Sequence, residues 1–153
     1  REAHEIYSAP LALDILKRCL PLCYSLEEST IITSEIVHAI ISHHAPNNPL
    51  TIEAGVVKVA DALDMEKGRA RVPYEKGRIN IHSASALEIT NVSILEGKNK
   101  PILISIEMDN PAGIFQVDNL LGAKIEGSGI EEYLNVEARI KEGDETRIIN
   151  FEL

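Results

Sequence analysis

The feature that most constrains this chain is a change of hydrophobic period along it. Up to about residue 78 the apolar residues recur three and four apart, and beyond that point they tend to alternate, so a helical half is expected to precede a strand-rich one. In the first half, SAPLALDILKRCL sets Leu11, Ile15, Leu16, Cys19 and Leu20 on neighbouring helical rows until Pro21 stops the pattern. ITSEIVHAIISHH predicts a second helix, capped by Thr33 or Ser34, with Ile36, Val37, Ile40 and Ile41 as its apolar stripe. After the breaker APNNP, Thr51 can cap a third helix running to about Met65. Its apolar residues, from Ile52 through Val56, Val57 and Val59 to Leu63, predict burial nearly all round.

In the second half, ITNVSILEGKNKPILISIEM reads as two strands joined by a polar turn that contains Gly97. DNPAG then introduces a helix, IFQVDNLLGAKI, that GSG ends, with Asp109 or Asn110 as its cap. YLNVEARI and TRIINFEL give a second hairpin. The fold class is therefore α+β: an all-α half over residues 1–75, followed by a small ββαββ module over 76–153. EKGRARVPYEKG, residues 66–77, reads as the linker. A regulatory or dimerising role is expected for the module, whose exposed strand edges suit pairing with a second copy into a homodimer.

Charge narrows the partners. The net charge is −9, and residues 79–153 carry 6 Lys and Arg against 13 Asp and Glu, compared with 9 against 11 in residues 1–78. Such a surface is a poor match for nucleic acid, which is bound through many phosphate contacts. No apolar run approaches the roughly 20 residues that cross a bilayer, and the first residues lack the apolar stretch of a signal peptide, so no membrane partner is expected. Cys19 and Cys23 have no second cysteine pair to complete a zinc site; they read as reduced core thiols in a cytoplasmic protein.

Two histidines at a helix end and one aspartate in an apolar helix stand out. With Ile36 at 0° on a helical wheel, His44 falls at about 80°, the centre of the apolar arc, and His43 at its edge. Asp61 falls beside Ala54, Val57 and Met65, with Lys58 three residues back, so a buried carboxylate in need of a partner is expected there. Imidazole and carboxylate are ligands that divalent first-row metals accept, and His43, His44 and Asp61 would satisfy one another through one ion. The plainer alternative is a pair of ordinary helix-end histidines and a hydrogen-bonded aspartate.

VVKVADALDM resembles the closing segment of the HD metal-dependent phosphohydrolase superfamily, in which an aspartate of an A-D-x-x-D-like helix is the last metal ligand; Asp61 takes that place. ISHH, residues 41–44, is similar to the I-x-x-H-H helix ending of HD and HD-GYP domains. REAHEIYSAPLALDIL resembles the helix after the HD doublet, and His4 matches its histidine. The resemblance covers about residues 1–75, and ALDMEKGRARVPY with INIHSASALEI looks similar to archaeal HD proteins that carry an extra C-terminal module. One departure matters: no His-Asp dipeptide occurs in these 153 residues. Because Arg1 leads almost directly into a helical pattern, the expectation is that residues preceding it supply a His and the His-Asp pair.

The resemblance implies a divalent ion (Mn, Fe, Ni, Zn or Mg) held by His43, His44, Asp61 and His4, and hydrolysis of a nucleotide or other phosphate ester. Lys58, Arg69 and Arg71 would meet the small phosphorylated substrate, arginine being suited to bidentate phosphate contact. If the missing ligands do not exist, the alternative is a non-catalytic ligand-binding or interaction protein with a degenerate HD site. Asp64 reads as a surface acid or as an orienting partner of a ligand. His82, Ser83 and Ser85 offer a base and hydroxyls but no orienting group, so they do not make a nucleophilic site.

Overall fold

A computed structural model of the chain describes residues 3–44, 47–67, 85, 87–142 and 145–151. The chain divides into two compact units, Arg1–Asp61 with Gly127–Gly129, and Ala62–Glu126 with Ile130–Leu153. The linker expected over 66–77 lies outside the described residues apart from Glu66 and Lys67.

In the first unit, α1 (His4–Cys19) and α2 (Leu26–Ser42) are joined by a 3-10 turn, Leu20–Leu22, that Pro21 opens. Lys17 and Arg18 sit in the last turn of α1, where a cation complements the exposed carbonyls. Arg18 Nε donates to the Asp14 carbonyl at 3.0 Å. The helix tolerates Pro10 in its interior, on an exposed position.

The cap of α2 lies eight or nine residues earlier than expected at Thr33 or Ser34. Ser25 is its cap and forms a capping box with Glu28: the Glu28 N–H donates to Ser25 Oγ at 3.3 Å, and the Ser25 N–H donates to Glu28 Oε2 at 2.9 Å. The S-x-x-E signal was present at residues 25–28, but the polar run EEST lacks the apolar stripe by which a helix is usually recognised.

Three burial expectations are corrected. Leu11 and Ile15 on α1 are 68% and 53% exposed, and the buried residues of that helix are Glu5 and Ala9 on another row. A helix apolar around most of its circumference offers several candidate faces, and periodicity cannot choose among them. Cys19 and Cys23 are free thiols but exposed, Cys19 as the last residue of α1 and Cys23 just after the 3-10 turn. The third helix, α3 (Ile52–Leu63), is capped by Thr51, whose Oγ1 accepts from the Ala54 N–H at 3.4 Å, as expected. It is not buried all round: Ile52, Val56 and Val57 are exposed, while Ala54, Lys58, Val59 and Ala62 are buried.

In the second unit four strands form one sheet in the order β1 (Ile89–Glu96), β2 (Ile102–Met108), β3 (Leu134–Glu142), β4 (Glu145–Phe151). The two hairpins are antiparallel as predicted, and β2 and β3 pair in parallel, joined by the helical crossover. That crossover is not a plain α-helix. Asn110 Oδ1 accepts from Ala112 N–H at 2.9 Å to open a 3-10 turn at Pro111, and short α segments then flank a π-helical turn, Val117–Gly122. Val117, Leu121 and Ile125 stay on the buried side of the run. Gly127 at φ 66° and Gly129 at φ 76° adopt the left-handed backbone that ends it.

The centre of the sheet carries the core. Ile104, Ile106 and Met108 of β2 and Val136, Ala138 and Ile140 of β3 are at most 1% exposed, so inward positions alternate along both strands. The segment after α3 belongs to this unit: Met65 is buried, Glu66 Oε1 accepts from the Val92 N–H at 2.8 Å, and the Lys67 N–H donates to the Ile89 carbonyl at 2.7 Å. Ser85 is buried against Gln116, whose Nε2 donates to Ser85 Oγ at 3.0 Å, a structural use for a hydroxyl that has no base beside it in that contact. His82 and Ser83 lie outside the described residues.

Two measurements check this account. Ile106→Ala should cost about 2–5 kcal/mol in denaturant unfolding, whereas Ile94→Ala, on a side chain 66% exposed, should stay within about 0.5 kcal/mol. Ser25→Ala should cost about 1 kcal/mol. Hydrogen bonds from the Ser25 side chain and backbone hold the Glu28 carboxyl below its ordinary 4.5. A carboxyl lowered on folding stabilises above its unfolded value and ceases to do so as the pH falls through the folded one. The difference between wild type and Ser25→Ala should therefore be full above pH 4.5 and shrink below it.

Candidate metal centre

The start of α1 meets the end of α2, which brings three imidazoles together. Ring centroids lie 4.9 Å apart for His4 and His43, 5.5 Å for His4 and His44, and 6.2 Å for His43 and His44, all edge to face. His4 is the first residue of its helix, entered from Ala3 in a left-handed conformation (φ 56°) that is unusual for a residue with a side chain. His43 is the C-cap of α2, and His44 follows beyond the helix. His4 and His43 are half-buried and His44 is exposed. The inward position read for His44 from a helical wheel does not hold, because the wheel stops applying where α2 stops, at Ser42.

The nitrogen arrangement of the closest pair is specific. His43 Nδ1 is 2.6 Å from the Ile40 carbonyl oxygen, which can only accept, so Nδ1 carries the proton and Nε2 keeps a lone pair. That Nε2 faces His4 Nε2 at 2.9 Å. On the other edge of His4, Nδ1 lies 3.4 Å from Glu5 Oε2. Both imidazoles thus present an oxygen acceptor at Nδ1 and turn Nε2 toward a shared point. Where both Nε2 atoms carry lone pairs, they repel at this distance unless a proton or a cation lies between them. Ligand nitrogens about 2.0–2.1 Å from one ion and at right angles around it would stand about 2.9 Å apart, so the pair fits two adjacent positions of a divalent metal. Among the described residues, no group of three or more His, Cys, Asp or Glu converges to make a complete site.

The other predicted residues fare differently. Asp61 lies on α3 and is exposed, not buried as its sequence neighbours suggested, because that helix buries the row of Ala54, Lys58 and Ala62 instead. Asp64 is exposed as well. Lys58 is only 3% exposed, and its Nζ donates to Asn48 Oδ1 at 3.4 Å. Arg69 and Arg71 lie outside the described residues. Sequence reasoning missed Glu5, which is 7% exposed on the packed row of α1, and the role of the Ile40 carbonyl. No side-chain pattern encodes either, since the burial of Ala9 that marks the packed row of Glu5 is known only from the fold.

A family model described as HD domain matches residues 1–66. An uncharacterized protein of Methanocaldococcus jannaschii is 48% identical over 141 residues, a match covering 92% of this chain and 54% of the relative. The chain thus spans about half the length of the curated relative it matches. No solved structure matches. Among the described residues no helix is long and apolar enough to cross a membrane. The HD superfamily is one of metal-dependent phosphohydrolases acting on phosphate esters. The matched segment, residues 1–66, contains both halves of the imidazole pair and is similar to the HD domain over its whole length.

Proposed function

We propose that the protein is a metal-dependent phosphohydrolase that cleaves a nucleotide or another phosphate ester, with residues 1–75 as its HD-like domain and 76–153 as a regulatory or dimerising module. The observation that carries the reading is the His4–His43 pair, with two Nε2 atoms 2.9 Å apart and the Nδ1 of each ring backed by oxygen. In this reading His4 and His43 hold a divalent ion, His44 and Asp61 add ligands, and further ligands come from outside these residues, a His-Asp pair among them. When bound, such an ion would supply Lewis acidity toward a phosphoryl group and lower the pKa of a water molecule.

The chain's own residues do the rest. The Ile40 carbonyl holds the His43 ring in one tautomer, and the edge-to-face packing of the three rings limits their rotation. Lys58, Arg69 and Arg71 receive the phosphate; Lys58, being buried, acts at short range and with little screening by solvent. The compartment we assign is the cytoplasm.

A second reading, a non-catalytic ligand-binding or interaction protein with a degenerate site, is favoured by the lack of a His-Asp dipeptide in these 153 residues. One set of experiments separates the two. The full-length protein should retain a stoichiometric divalent metal on elemental analysis and release phosphate from nucleotides or a generic phosphate ester. Chelation should abolish turnover and added Mn2+ should restore it. His43→Ala should weaken metal binding by at least about 100-fold, beyond the effect of losing a hydrogen bond to a ligand. A folded full-length protein that takes up no metal and hydrolyses no phosphate ester sinks the enzyme reading and leaves the second.

A further inference from the structure

We propose that Glu5 is a positioning residue of this centre: its carboxylate accepts a hydrogen bond from the Nδ1–H of His4 and so keeps the His4 Nε2 lone pair turned toward His43. This inference rests on the metal-centre reading above and adds a residue to it.

Glu5 is the anomaly of its helix. It shares the buried side of α1 with Ala9, a place where an apolar or small side chain packs without penalty. Its side chain is only 9% exposed, and Oε2 is fully buried without a hydrogen-bond partner. An orphaned carboxylate oxygen is among the costlier things a protein can bury, so its retention calls for a compensating use. His4 Nδ1 lies 3.4 Å from that oxygen, an ion-pair contact within reach of a hydrogen bond.

The counterpart on α2 shows what such a contact achieves. His43 has its Nδ1 held at 2.6 Å by the Ile40 carbonyl. His4 begins α1 and has no preceding turn of its own helix to provide a carbonyl in the same way. The adjacent side chain takes over that task for the ring at the helix start. Together the two oxygens set both rings to the same tautomer, which leaves both Nε2 atoms as donors to one cation.

The test compares Glu5→Met, which keeps bulk and removes both oxygens, with Glu5→Gln, which keeps an acceptor. Replacing a buried unpaired carboxylate by a hydrophobe of similar size is neutral or stabilising, so the Met variant should fold. Titration of the full-length protein with Mn2+ should show affinity about 10–100-fold weaker in Glu5→Met, with most of the loss recovered in Glu5→Gln. Nitrogen-15 NMR of the metal-free proteins should find the His4 proton on Nδ1 in wild type and Glu5→Gln, and moved toward Nε2 in Glu5→Met. Unchanged affinity together with an unchanged tautomer overturns the proposal. An affinity loss without a tautomer change assigns Glu5 a purely structural role and overturns it as well. If wild type binds no Mn2+, the metal-centre reading fails, and the tautomer comparison still decides whether Glu5 orients His4.

Discussion

Two imidazole nitrogens facing each other across 2.9 Å are the interaction around which the ends of α1 and α2 are arranged. The contact exists because α1 and α2 run antiparallel, so that the first residue of one meets the residue that caps the other. Neither ring could hold its position alone at a helix terminus, where side chains are ordinarily free to turn into water. A carbonyl fixes one ring, a carboxylate stands beside the second, and edge-to-face packing with the third narrows what remains.

That arrangement carries costs that the surrounding fold must meet. A buried carboxylate oxygen without a hydrogen bond, on a row that otherwise packs alanine, subtracts from stability, and the left-handed Ala3 just before His4 adds strain. Marginal stability means that such features persist only where other contacts outweigh them. The capping box at Ser25 and Glu28 contributes at the far end of the helix pair, next to the turn that reverses the chain. The sheet unit has a different economy, with nearly every inward side chain of its two central strands fully buried and no comparable liability in the core of β2 and β3.

The sheet unit was the more legible of the two. Alternation in ITNVSILE and ILISIEM, with a glycine in the turn between them, identified a hairpin that the structure contains in register from Ile89 opposite Met108 to Glu96 opposite Ile102. The parallel pairing of β2 with β3 was not legible, since a strand's sequence does not state which neighbour lies beside it. Nor was the π-helical turn, because Val117, Leu121 and Ile125 keep the four-residue spacing of an ordinary helix while the backbone between them widens. In the helical unit the existence of three helices was readable and their buried faces were not. Leu11, Ile15 and Val57 qualify as core residues by chemistry and are exposed, while Glu5 and Lys58 do not and are buried.

By itself, then, the amino-acid order determined the kinds of element, their succession, and the residue types available for chemistry: periodicity is a local property, and a histidine's ligand character belongs to its ring. The resemblance of residues 1–66 to the HD domain was likewise contained in short local segments around His4, His43 and Asp61. Only the tertiary structure decided which imidazoles meet, that the Ile40 carbonyl backs the His43 ring, and that Glu5 rather than Asp61 is the buried acid of the helical half. The physical reason is that these are relations between residues as far as 39 positions apart, set by which face of each helix wins the competition for burial, and that competition has no signature in any one segment.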